Sequence, residues 1–169
     1  MLFRSRQMAG FDLVQLFAEF RALRSMFFAQ HVLAAGYTSI VVPGDAGNSS
    51  IAVRDAIRMG LFDGPRIAAS SNVIANRHSL NDWFPEHVGT PEYFTGRLCT
   101  TPDLQIEEVR RQAKAGANLV KIAMDGTHFR EDGTHIAAFT QQEISAMVAE
   151  AHRAAGLPEI PAAPYFSSS

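Results

Sequence analysis

The stretch Gly116-Ala117-Asn118-Leu119-Val120-Lys121-Ile122-Ala123-Met124-Asp125-Gly126 decides how this chain is read. Leu119, Val120, Ile122, Ala123 and Met124 surround a single lysine, and two glycines bracket the run. Such a run reads as a short strand buried on both faces, as in parallel sheets. A charged ammonium in that setting is costly unless it is paired, neutralised or chemically altered. The chain has 13 arginines and only 2 lysines, Lys114 and Lys121. Lys114 falls in a charged helical segment, which leaves Lys121 as the lysine that needs an explanation.

Working outward, Thr101-Pro102-Asp103 opens a helix over residues 101–115 that ends at Gly116. On the other side, residues 125–139 read as a polar loop carrying His128 and His135. Thr140 with Glu143 three residues on is a capping-box pattern. It starts a helix through Ile144, Met147, Val148 and Ala151 to Gly156. Nearer the N-terminus, residues 11–35 place Leu13, Leu16, Phe17, Phe20, Leu23 and Phe27 at helical spacing. Residues 37–42 form a β-branched strand, and Asn48, Ser49 and Ser50 offer N-caps for a helix that closes at Gly60. Residues 66–69 are another short strand. Residues 70–101, with three asparagines, Trp83, Pro85 and Pro91, read as a long loop with at most a short helix. Long ordered loops in compact domains are usually functional.

The resulting order, α, β, α, β, loop, α, β, α, predicts a parallel sheet with right-handed crossovers. A (β/α)8 barrel and a doubly wound sheet both fit. No Gly-x-Gly-x-x-Gly follows a strand and no Gly-Lys-Ser/Thr occurs, which weakens nucleotide binding. Three clear strands are far fewer than eight, and a full barrel takes about 250 residues. The expected fold is therefore α/β: an incomplete (β/α)8 TIM-type barrel, roughly the first half, over residues 1–157. Residues 158–169 form an irregular Pro/Ser-rich tail in which Pro158, Pro161 and Pro164 oppose a central strand. That tail reads as a truncation or an altered reading frame.

Composition sets further bounds. The 169 residues carry a net charge of −2, which points to neither a nucleic-acid nor an acidic-membrane partner. Arg110, Arg111 and Lys114 sit beside Glu107 and Glu108, the pattern of a solvated mixed helix face. The lone Cys99 excludes an internal disulfide and a cysteine-rich zinc site. No apolar run reaches the roughly 18 residues of a membrane span. Arg4 and Arg6 precede Asp12, Gln15 and Glu19, an amphipathic helix and not a signal sequence, so a cytoplasmic location is expected.

Several segments in order resemble one family. They are Ala34-Ala35-Gly36-Tyr37-Thr38-Ser39, Val53-Arg54-Asp55-Ala56-Ile57, Gly64-Pro65-Arg66-Ile67 and Gly116-Ala117-Asn118-Leu119-Val120-Lys121-Ile122, then Phe139-Thr140-Gln141-Gln142-Glu143-Ile144 and Glu150-Ala151-His152-Arg153-Ala154. Together, over roughly residues 28–157, they resemble the metal-dependent amidohydrolase superfamily, in its imidazolonepropionase-like and Xaa-Pro dipeptidase branch. The resemblance implies a barrel hydrolase with one or two divalent metals, usually zinc. It also implies that a lysine ending the fourth strand can be carboxylated and bridge two metals; Lys121 matches that position. The family's His-x-His pair is absent from this chain, and Ala162, Ala163 and Pro164 stand where the fifth-strand histidine is expected. The expectation is a fragment of a hydrolase of amide, peptide or cyclic-amide C–N bonds, with a small-molecule or dipeptide substrate, that lacks its other metal ligands and is inactive alone.

The residues themselves leave other readings open. His78, Trp83, His128 and His135 are candidates for substrate contact, against a default of solvated loops. His31 and His152 read as packing or helix-end residues, and Asp45 as a loop carboxylate. Lys121 could instead be a Schiff-base nucleophile of an aldolase-type lyase. The chain could also be a non-catalytic partial barrel that associates with a partner, or with itself, through exposed edges.

Overall fold

Helix caps and apolar periodicity place most of the elements. The computed structural model describes residues 18–82, 84–91 and 94–156. The order is α1 (Ala18–Ala34), β1 (Ser39–Val42), α2 (Ser49–Arg58), β2 (Arg66–Ala69), β3 (Val73–Ala75), β4 (Gly96–Leu98), α3 (Pro102–Lys114), β5 (Asp125–Phe129), β6 (His135–Ala137) and α4 (Gln141–Ala154). Thr101 caps α3 by accepting from the Leu104 N–H at 3.4 Å. At α4 the capping box is complete. The Thr140 hydroxyl accepts from the Glu143 N–H, and Glu143 accepts from the Thr140 N–H at 2.7 Å. Helix α2 departs from expectation. Asn48 stands at its N-cap without a side-chain cap bond. Asp45 does that work, accepting from the Ser50 N–H at 2.6 Å and the Ala46 N–H at 2.7 Å.

β1 pairs in parallel with β2, and β3 pairs in parallel with β4. Residues 118–123 run along the other side of this chain segment. The Asn118 N–H donates to the Ala69 carbonyl, the Ile74 N–H to the Lys121 carbonyl, and the Ala123 N–H to the Ile74 carbonyl. Ala69 and Ile74 lie five residues apart yet bond to the same neighbour. An unbroken strand turns only residues an even number apart to one side, so residues 70–72 insert an extra residue and break the alternation.

That break is held by buried polar groups. Ser70, Ser71 and Asn72 are buried. The Ser71 hydroxyl bonds to the Gly47 carbonyl at 2.9 Å and to Asn48 at 2.8 Å. The Asn72 carbonyl accepts from Gln112 at 2.8 Å, and Arg111 reaches Ser71 and Asn72 from α3. Glu108 on α3 is 2% exposed and accepts from Arg111, Arg97 and Gln112. Glu108, expected on a solvated face, is thus part of the interior, with Arg111 half-buried over it: a buried carboxylate is tolerable when donors surround it.

Two apolar clusters flank the strands. Ala29, Ile51, Val53, Ile67 and Ala69 join α1, α2 and β2. Ile74, Cys99, Val109, Phe139 and Met147 join β3, α3 and α4. Burying a side chain such as Ile74 or Met147 is worth roughly 1.5–3 kcal/mol. α3 and α4 run parallel, because Gln105 meets Glu143 and, further along both helices, Arg110 meets Glu150. Parallel neighbours are what successive βα units produce.

Three other expectations change. Residues 70–101 contain β3 and β4 and are not simply a loop. Residues 125–139 form an antiparallel hairpin, β5 with β6, closed by Asp132, which accepts from the Thr134 N–H and hydroxyl. On α1 the apolar stripe of Phe20, Leu23 and Phe27 is exposed, while Arg21 and Ala29 are its buried residues. The N-terminal part of that stripe lies outside the described residues.

Candidate functional site

The segment that carries Lys121 is positioned from its N-terminal end. Gly116, at φ 85°, makes the turn out of α3. Arg54 then donates to the Gly116 carbonyl at 2.6 Å and to the Asn118 side chain at 2.7 Å. Asn118 in turn accepts from the Ala69 N–H at 3.1 Å. The same Arg54 pairs with Asp55 at 2.8 Å and holds its carboxyl below the usual carboxylate range. One buried guanidinium therefore ties α2, the α3 turn and β2 to the start of residues 118–123. The far end is fixed as well: the Leu80 N–H donates to the Asp125 carbonyl at 3.0 Å, and Ser79 bridges Gly126.

Between these anchors Lys121 is exposed and forms no ion pair among the described residues. This corrects the expectation of a strand buried on both faces. The segment touches β3 through one bridge, Ile74 to Ile122, and only Ala123 within residues 119–124 is fully buried. Lys121 lines an open cleft of about 290 Å3 together with Gly44, Asn81, Thr95 and Asp125. Asn81 donates to the Thr95 hydroxyl at 3.2 Å. Gly96 makes that seat possible, since a Cβ there would lie 2.3 Å from the Asn81 Cβ. The cleft thus presents one amine, one carboxylate, an amide and a hydroxyl over apolar walls.

The other sequence-derived candidates separate. His78 sits in a loop beside the cleft, exposed, with φ 65° and its N–H donating to Asp82 at 2.9 Å. It is not among the residues that line the cleft. His128 lies on β5 and His135 on β6, so the hairpin brings their backbones together, with His135 opposite Phe129. Trp83 lies outside the described residues. His31 bonds the Phe27 carbonyl at 2.8 Å on the exposed side of α1. Cys99 is buried, and that burial, reinforced by Glu108, pushes its thiol up to about 11, away from the thiolate form a nucleophile needs. Asn81, Thr95 and Gly96 were not singled out as a site from sequence. Polar residues in a loop carry no signal of their own, and only Gly96 behind Asn81 marks a backbone that must pack closely.

A metal centre needs more than this cleft offers. Zinc sites take three or more protein ligands. Among the described residues no three His, Cys, Asp or Glu side chains come together, and Lys121 with Asp125 makes at most two donors. The described residues therefore do not fit a complete metal site. No helix of the described residues is long and apolar enough to cross a membrane.

No protein-family model matches the sequence, and no curated protein does. Solved structures do match. A Bifidobacterium longum chain assigned as a prolidase is 30% identical with a TM-score of 0.61, over 84% of this chain and 31% of that one. A Xaa-Pro dipeptidase with methionine bound in its active site is 25% identical with a TM-score of 0.69, over 90% of this chain and 37% of that one. Aspergillus niger ochratoxinase is 21% identical with a TM-score of 0.71, over 88% and 37%. The chain resembles amidohydrolases and prolidases in fold along nearly all its described length. It spans about a third of the length of the solved structures it matches.

Proposed function

We propose that this chain is part of a (β/α)8 barrel hydrolase of the amidohydrolase kind, acting on amide, peptide or cyclic-amide C–N bonds. In this reading residues 1–157 form the partial barrel and residues 158–169 a tail. Lys121 is the chain's contribution to a divalent metal centre, in its carboxylated form, and the remaining ligands come from outside the described residues. Carboxylation converts an amine into an anion with two oxygen donors, which suits a lysine exposed at an open cleft. One observation carries the proposal: the fold likeness to amidohydrolases and prolidases coincides with an exposed Lys121, without an ion pair among the described residues, beside Asp125, Asn81 and Thr95 in one cleft. His128 and His135 remain candidates for substrate contact on the β5–β6 hairpin, which begins at the cleft residue Asp125. His78 and Trp83 belong to the adjoining loop and keep the same candidate role.

The test is zinc content per chain after refolding with zinc and bicarbonate, beside Lys121→Ala. Two donors hold zinc weakly, so the difference between the proteins is the readout. Metal retained by the parent protein and lost from Lys121→Ala supports the assignment; equal content in both removes it. The lyase alternative needs an amine desolvated in an apolar wall. Lys121 is exposed, so borohydride trapping of a carbonyl compound on Lys121 is expected to fail.

A further inference from the structure

Helix α1 has two unlike faces. One is covered: Arg21 and Ala29 are buried, and Ala29 joins Ile51 and Val53 of α2 and Ile67 of β2 in an apolar cluster. The opposite face is apolar and open. Phe20 is 51% exposed, Leu23 60% and Phe27 54%. Gln30 and Ala34 continue that line and are exposed as well. An ordinary surface helix turns its apolar stripe to the core and its polar residues to water. Here the exposed line steps by three and four residues, through 20, 23, 27, 30 and 34, which is the a/d alternation of a heptad repeat. Large apolar side chains gathered in one exposed stripe mark an interaction surface, and this spacing fits a second helix laid along the first.

We propose that the partner is a second copy of this chain, and that the two α1 helices pair in parallel about a two-fold axis. The stripe is self-complementary. With both helices in one register, Phe20, Leu23 and Phe27 each meet their counterparts across the axis, so a single surface serves both chains and the contact closes. The flanking charges select the direction. Glu19 stands at a g position of the repeat and Arg24 at the e position five residues on. In a parallel pair the g residue of one helix faces that e residue of the other. Glu19 of each copy therefore meets Arg24 of its partner, once on either side of the seam. In an antiparallel pair g faces g and e faces e, and the two charges do not meet. Glu19 is exposed, and the half-buried Arg24 holds its guanidinium 5.5 Å from the centre of the Phe28 ring, on the flank next to Phe27. This contact uses a helix face and not the open sheet edges expected from the sequence. It does not depend on the role of Lys121.

Sedimentation equilibrium of the full 169-residue chain over a concentration series tests it. The expected result is a reversible rise to twice the chain mass. Leu23→Glu places a carboxylate in the seam of both copies and is expected to weaken association at least about hundredfold. Leu23 is exposed in the single chain, so the urea midpoint of the monomeric variant should show an intact fold. Glu19→Arg or Arg24→Glu alone sets like charges against each other and is expected to weaken the dimer about tenfold. The double variant restores opposite charges and is expected to return the affinity to within about threefold of the parent. A single-chain mass at every concentration overturns the proposal. So does a dimer indifferent to Leu23→Glu, which is then built on another surface such as the sheet edges. Single reversals that weaken nothing, or a double variant no better than the singles, overturn the parallel pairing.

Discussion

Glu108 and Lys121 are both charged residues close to the strands, and the molecule treats them in opposite ways. Glu108 is 2% exposed and receives donors from Arg97, Arg111 and Gln112. Lys121 is exposed, meets no carboxylate among the described residues and opens onto a cleft. The difference separates structural charge from available charge. A buried carboxylate with every lone pair engaged is held by the interior and holds it in turn. The Lys121 amine lies on a segment anchored at both ends and forms no ion pair among the described residues, the property on which the proposed role rests.

The comparison breaks most sharply at Glu108. Glu108→Ala strips the partner from Arg111 and leaves Gln112 one acceptor short. Truncating one side of a buried pair costs about 3–5 kcal/mol, so urea unfolding should show a loss in that range. Glu108→Gln keeps the acceptor oxygen but not the charge and should lose less. A loss below 1 kcal/mol for Glu108→Ala would mean that the polar interior around residues 70–72 is not needed for stability. Next comes Arg54, which positions the Lys121 segment without touching it. Arg54→Met removes its charge-assisted bonds to Gly116 and Asn118, each of a kind worth about 1.5–3 kcal/mol. The expected outcome is a stability loss of about 2–3 kcal/mol, with faster amide exchange at Asn118.

How far these roles could be read beforehand depends on what each residue's surroundings are made of. The helices were legible because caps and apolar spacing are local: Thr101, Thr140 and Glu143 act where the sequence put them. Strands β3 and β4 were hidden because each has three residues and because Ser70, Ser71 and Asn72 look like loop chemistry. Their partners, Arg111 and Gln112 on α3, are about 40 positions away in sequence. For the same reason Glu108 read as a surface residue: its neighbours Arg110 and Arg111 looked solvated, and nothing local tells that Arg111 turns inward. Lys121 stood out in the sequence on the premise of a strand buried on both faces, and that premise does not hold. A run of apolar residues says that a segment can be buried, and only the number of strands beside it decides whether it is.

A smaller effect concerns pH. Glu150 on α4 is held at about 2, below the ordinary 4.5, by hydrogen bonds from Arg153 and Arg110. A depressed carboxylate stabilises the fold above its unfolded value and loses that contribution as pH falls through its folded value. Both arginines are more than half exposed, so screening limits the contribution to about 1 kcal/mol. Glu150→Gln should therefore be about 1 kcal/mol less stable than the parent at pH 7. The gap should stay constant down to about pH 4.5 and close between there and about pH 2. A gap independent of pH would show that Glu150 acts through packing against α3 and not through its charge.

The smallest stability effect belongs to the residue with the largest proposed role. Lys121→Ala removes an exposed side chain that no ion pair among the described residues holds, and such changes fall within about 0.5 kcal/mol. The chemical denaturation midpoint of Lys121→Ala should thus match the parent, while any metal retention or hydrolytic activity of the cleft is lost. A destabilisation of 2 kcal/mol or more would place Lys121 with Glu108, as a charge the fold depends on, and would remove the ground for treating it as available. Unchanged stability with loss of metal is the outcome that distinguishes an amine kept for chemistry from one kept for structure.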